Sequence, residues 1–90
     1  MLPLAIISER LRKLKDWALE INSITKDFMF GNFKEAMGFV NRVAELTEQQ
    51  EHYPMITVSG NRVKINLTTH SEGGLTSKDF ELAEEIDKLE

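Results

Sequence analysis

A chain of 90 residues, 41% hydrophobic and 29% charged, fits one domain over residues 1–90 with one small core. It contains no cysteine, which excludes disulfides, thiolate zinc sites and cysteine nucleophiles. Its formal net charge of -4 argues against nucleic acid as a direct partner, because binding phosphates requires a basic surface.

The apolar opening Met1 to Ile7 is too short to span a bilayer and lacks the basic start and cleavage site of a signal peptide. A soluble, cytoplasmic protein with no membrane contact is expected, and the lack of cysteine suits that compartment. A first helix is predicted from Ser8 to Asp16, with Ile7, Leu11, Leu14 and Ala18 at helical spacing and Ser8 as its cap. The basic run Arg10 to Lys15 then reads as its solvated face. The period changes at Trp17, Leu19 and Ile21, which alternate with polar neighbours. Asn22-Ser23 is placed to turn the chain into a second strand carrying Ile24, Lys26, Phe28 and Phe30.

Asn32, with Glu35 three residues on, begins a helix in the manner of a capping box. Phe33, Ala36, Met37, Val40, Val43 and Ala44 are predicted to form its apolar face, widened by Phe39 and Leu46. Pro54 stops this helix, because it has no amide donor and biases Tyr53 towards extended backbone. A second hairpin follows, with Ile56 and Val58 on one strand, Gly60-Asn61 as a turn with positive backbone angles, and Val63, Ile65 and Leu67 on the return strand. Thr76 and Asp79 form another capping-box pattern before a last helix carrying Leu82, Ala83, Ile86 and Leu89. The order α-β-β-α-β-β-α is that of an α+β domain, a four-stranded antiparallel sheet with its helices on one face. Its open edges predict pairing into a homodimer or homotetramer.

The only two histidines, His52 and His70, lie where a helix and a strand end, and element ends facing loops are common sites of binding and catalysis. Histidine titrates near neutrality and serves as general acid or base. Glu48, one turn before His52, is placed to orient the imidazole and favour its charged form. Tyr53 can donate a hydrogen bond but is a poor base at neutral pH. Each residue has a plainer reading as well: His52 as a cation at a helix C-terminus, Asp79 as a capping residue, and Glu48 as one charge in the Glu48 to Glu51 surface turn. Gly73-Gly74 lacks the spacing and lysine of a phosphate loop. The two histidines and scattered carboxylates lack metal-site spacing, and no metal is expected.

Together, Glu48, His52-Tyr53-Pro54, Thr69-His70, Gly73-Gly74-Leu75-Thr76 and Asp79 resemble the core of the pterin-4a-carbinolamine dehydratase family. That core reads as an acidic residue, three spacers, His-His-Pro, a hairpin, Thr-His, a Gly-rich loop and an Asp. The resemblance runs upstream through Trp17, Phe28 to Phe33, Ala36, Phe39, Val40 and Val43, and downstream through Leu82-Ala83 and Ile86-Asp87. Tyr53 stands where the family has its second histidine, and Ile56 and Ser59-Gly60-Asn61 replace the aromatic residues usual in the following strand.

The resemblance implies dehydration of a 4a-hydroxytetrahydropterin to the quinonoid dihydropterin without any cofactor, in tetrahydrobiopterin biosynthesis. It puts His52, His70 and Tyr53 at catalytic positions and Glu48, Pro54, Thr69 and Asp79 at binding or orienting ones. It also implies dimers joined through their sheets and tetramers joined through helices. Animal members assist the dimerisation of a transcription factor, so the alternative is a weak or inactive member serving as a pterin-binding or protein-oligomerisation module. His52 and His70 are expected to border one pocket, and histidine at position 53 is expected to raise turnover.

Overall fold

In the computed structural model, which describes residues 1–90, the chain folds as α1 (Leu4–Arg12), β1 (Ala18–Glu20), β2 (Ser23–Met29), α2 (Phe33–Gln50), β3 (Met55–Ser59), β4 (Arg62–Leu67) and α3 (Ser77–Asp87). A short 3-10 turn at His70–Glu72 precedes α3. Helix α1 lies one turn earlier than the pattern of its apolar residues predicts. Pro3 caps it in place of Ser8, with a backbone angle already suited to helix entry. Asp16 adopts a positive φ and redirects the chain before β1. Ile7 is buried and Leu11 and Leu14 pack beside the core, whereas Ala18 belongs to β1.

The first hairpin turns at Ile21-Asn22, one residue before the predicted position, and its register pairs Glu20 with Ser23. Ile21 takes a left-handed φ of 44° and is 94% exposed, an unfavourable position for a β-branched residue. In the second hairpin only Gly60 of the Gly60-Asn61 pair has a positive φ, the pattern of a type II′ turn. Asn61 is instead occupied by its side chain, whose amide donates to the Phe30 carbonyl at 2.8 Å and ties the turn to the end of β2.

The Asn32 side chain accepts from the Glu35 amide at 2.9 Å, and the Glu35 carboxylate accepts from the amide of Gly31, one residue further back than a capping box requires. Ala36, Phe39, Val43 and Thr47 form the buried stripe of α2. Phe39 is therefore central, while Phe33 is 57% exposed and Ala44 is also exposed. The helix ends with Glu51 in the left-handed region. Glu51 N–H donates to the Glu48 carbonyl and His52 N–H to that of Thr47, the paired bonds of a Schellman cap.

The sheet order is β1-β2-β4-β3, with every neighbouring pair antiparallel. Ile24, Phe28, Val63, Ile65 and Leu67 face inward and join Phe39, Val43, Phe80, Leu82, Ala83 and Ile86 of the helices in one core. Lys26 shares this inward face and is only 7% exposed. Its ammonium meets Asp87 Oδ1 at 2.9 Å and lies over the Phe28 ring, while Trp17 Nε1 donates to the same carboxylate. No helix is long and apolar enough to cross a membrane.

Candidate active site

Three chain segments converge at the end of β4. The cap of α2 delivers His52, the residues after β4 deliver Thr69 and His70, and the start of α3 delivers Thr76 and Asp79. The loop before α3 is closed by reciprocal backbone hydrogen bonds between Thr69 and Gly74. Gly73, at φ 74°, makes the tight return that this closure requires. The glycine pair therefore shapes the site without forming a phosphate loop.

Asp79 is fully buried. Its Oδ2 accepts from Thr76 N–H at 2.9 Å and from the Thr69 hydroxyl at 2.8 Å. Its Oδ1 lies 2.5 Å from His52 Nε2. An ionised carboxylate in this position accepts, so Nε2 is the donor, and in the neutral imidazole Nδ1 is then the nitrogen that carries the lone pair. The Thr69 proton is committed to Asp79, so Thr69 accepts from the Thr76 hydroxyl at 2.9 Å, and that oxygen in turn accepts from Lys78 N–H. No buried side-chain polar atom in the molecule lacks a partner. Such a network fixes an imidazole's orientation as firmly as its position.

The predicted site residues divide into two groups. His52, Thr69 and Asp79 are brought together, and Asp79 holds the imidazole, the role expected of Glu48. The Glu48 carboxylate instead faces the Tyr53 hydroxyl at 3.5 Å. Tyr53 is 60% exposed, and the neighbouring Glu48 charge, then desolvation, then Glu51 raise its phenol above the ordinary value, so phenolate is disfavoured at neutral pH. Pro54 is half-buried and contributes the chain stop.

His70 is exposed and lines a groove of about 710 Å³ on the outer side of the sheet, together with Glu20, Ser23, Asn66, Thr68 and Gly73. His52 is not among the groove's lining residues. The expectation that both histidines border one pocket is therefore not met by this groove. Thr69, in extended backbone, points inward to Asp79, and His70 opens the 3-10 turn as an exposed residue on the groove side. Sequence reading missed Glu20, Ser23 and Asn66, because residues far apart in the chain meet there only through the β1-β2-β4 register.

Residues 2–89 match the family described as pterin 4 alpha carbinolamine dehydratase. A relative from Sulfolobus acidocaldarius, provisionally named a pterin-4-alpha-carbinolamine dehydratase, is 43% identical over 84 residues, covering 93% of this chain and 92% of its own. One from Chloroflexus aggregans with the same provisional name is 49% identical over 86 residues, covering 94% and 92%. The solved structure of a transcriptional coactivator/pterin dehydratase from Brucella melitensis superposes with a TM-score of 0.94 at 33% identity, covering 98% of this chain and 96% of that one. A pterin dehydratase-like protein identified as a RuBisCO assembly factor in the alpha-carboxysome is similar in fold, with a TM-score of 0.67 at 23% identity over 81% of this chain and 84% of its own.

Proposed function

The chain belongs to the pterin 4 alpha carbinolamine dehydratase family, and we propose that it dehydrates a 4a-hydroxytetrahydropterin to the quinonoid dihydropterin by histidine acid/base chemistry. The reaction breaks the C4a–O bond and removes the proton on N5, forming the C4a=N5 double bond and releasing water. His52 takes the N5 proton on Nδ1 and the hydroxyl leaves as water with a proton from solvent, while His70, in the separate outer groove, owes its assigned role to the family resemblance alone. Asp79 and Thr69 orient His52, Tyr53 contributes only a hydrogen-bond donor, and Glu48 and Pro54 shape the neighbouring wall. These side chains require no metal or cofactor for this chemistry, and we place it in the cytoplasm. The observation that carries this reading is the contact between the buried Asp79 and His52 Nε2, which orients the imidazole and turns Nδ1 away from the carboxylate.

A second reading draws on the β3 edge. Met55 is 70% exposed beside Tyr53 on a strand paired on one side only, a surface suited to a protein-oligomerisation or stabilisation role with little or no turnover. Stopped-flow measurement of quinonoid dihydropterin formation from a 4a-carbinolamine separates the two. The dehydratase reading expects a rate well above spontaneous dehydration, whereas a rate equal to it leaves the second reading.

A further inference from the structure

Resting on the dehydratase reading, we propose that the opening segment Met1-Leu2 is a positioning element for His52, acting through the peptide group that joins Leu75 to Thr76. The Leu2 N–H donates to the Leu75 carbonyl at 2.8 Å. The N–H of the same peptide group, that of Thr76, donates to Asp79 Oδ2 at 2.9 Å, and Asp79 Oδ1 meets His52 Nε2 at 2.5 Å. One hydrogen-bonded line therefore runs from Leu2 to the imidazole.

A trans peptide group is planar, with its carbonyl and N–H pointing in opposite directions, so a bond that fixes the oxygen also aims the hydrogen. Accepting at the oxygen polarises the N–H as well, which strengthens the bond it gives to the carboxylate. Asp79 Oδ2 has one other donor, the Thr69 hydroxyl, so the Thr76 amide is one of two bonds that set the carboxylate's angle towards His52. The approach of Met1-Leu2 is built into the glycine loop. Gly74 is buried at φ 156°, and a Cβ there would collide with the Met1 side chain and press on Asn22. Leu2 packs half-buried against the core. A cavity of about 430 Å³, bordered by Met1, Leu2, Thr69, Thr76 and Lys78, lies beside the contact, so the hydrogen bond holds the segment where packing does not. Leu2 stands one peptide group and one carboxylate away from the imidazole. Its effect therefore falls on the orientation of the base, and so on kcat, with pterin binding left to other groups.

The test removes that single N–H. In the 90-residue chain made by chemical synthesis, Leu2 is replaced by its α-hydroxy analogue, which turns the amide into an ester and keeps the side chain. A second chain carries the same change at Leu89, whose N–H donates to the Ile86 carbonyl at 3.0 Å, at the other end of α3 from Asp79. Loss of one positioning hydrogen bond should lower kcat of the Leu2 ester by about two- to tenfold, with KM for the carbinolamine held within about twofold. Nitrogen-15-edited proton NMR should show the His52 Nε2 proton shifted and exchanging faster with water. The Leu89 ester should match wild type in both readouts. Equal losses in the two esters would assign the effect to general loosening and overturn the proposal. A Leu2 ester with wild-type kcat and an unchanged His52 proton would overturn it and leave the dehydratase reading standing. Wild type without turnover would remove that reading; the His52 proton would then decide the positioning role, a shift in the Leu2 ester alone supporting it and an unchanged signal overturning it.

Discussion

Asp79 divides its two oxygens between structure and chemistry. Oδ2 closes the capping box of α3 and receives Thr69, while Oδ1 holds His52. The capping role is legible in the Thr76 to Asp79 spacing, but the histidine contact joins residues 27 apart in the chain and becomes visible only in the fold. Asp79→Asn would keep an oxygen for Thr76 N–H and Thr69 and turn its amide donor towards His52. In the neutral imidazole the proton should then move from Nε2 to Nδ1, as nitrogen-15 NMR of His52 would report; a neutral wild-type imidazole with its proton already on Nδ1 would contradict the geometry. Tyr53 offers a second test, being the chain's one tyrosine. Glu48 is the main cause of its raised pKa, so phenolate absorbance should titrate above the usual value near 10 and move back towards it in Glu48→Gln. The folded chain keeps this proton more tightly than the unfolded one, so stability should fall as pH rises above about 10.

Among the elements, the helix starts at Asn32 and Thr76 and the two hairpins are legible because each rests on side chains a few residues apart. The start of α1 differs from the Ser8 pattern because Pro3 begins the helix through its fixed φ and needs no side-chain bond. The buried face of α2 is narrower than its apolar pattern for a related reason. Periodicity alone cannot tell that the helix axis directs Phe39 between Phe28 and Phe30 and leaves Phe33 outside. The C-terminal cap of α2 holds Glu51 at φ 51°, a conformation that glycine adopts without the Cβ clash. Glu51→Gly should therefore stabilise the chain by about 0.5–1 kcal/mol in urea denaturation. A loss of stability would mean that the Glu51 side chain makes a compensating contact.

At the scale of the molecule, the pairing of β2 with β4 decides where the histidines go. Each hairpin is predicted by its own turn, but nothing local specifies which strands meet in the centre, and this register sets His70 and Glu20 around one groove. The same order leaves β1 and β3 as edges on a chain with a core of only 15 residues. Pairing with identical subunits should protect them. Sedimentation equilibrium at micromolar concentration should find a dimer or tetramer, and a species of about 10 kDa throughout would argue against obligate assembly. The central claim, that His52 held by Asp79 is the base of the dehydration, is tested most directly by stopped-flow rates for wild type and His52→Ala against spontaneous dehydration, with His70→Ala reporting whether the outer-groove histidine takes part. The account predicts a fast wild type and a loss on the order of 10²–10⁴-fold in His52→Ala, the usual contribution of a general acid or base, as far as the spontaneous rate lets it be seen. A His52→Ala variant that matches a fast wild type would contradict it.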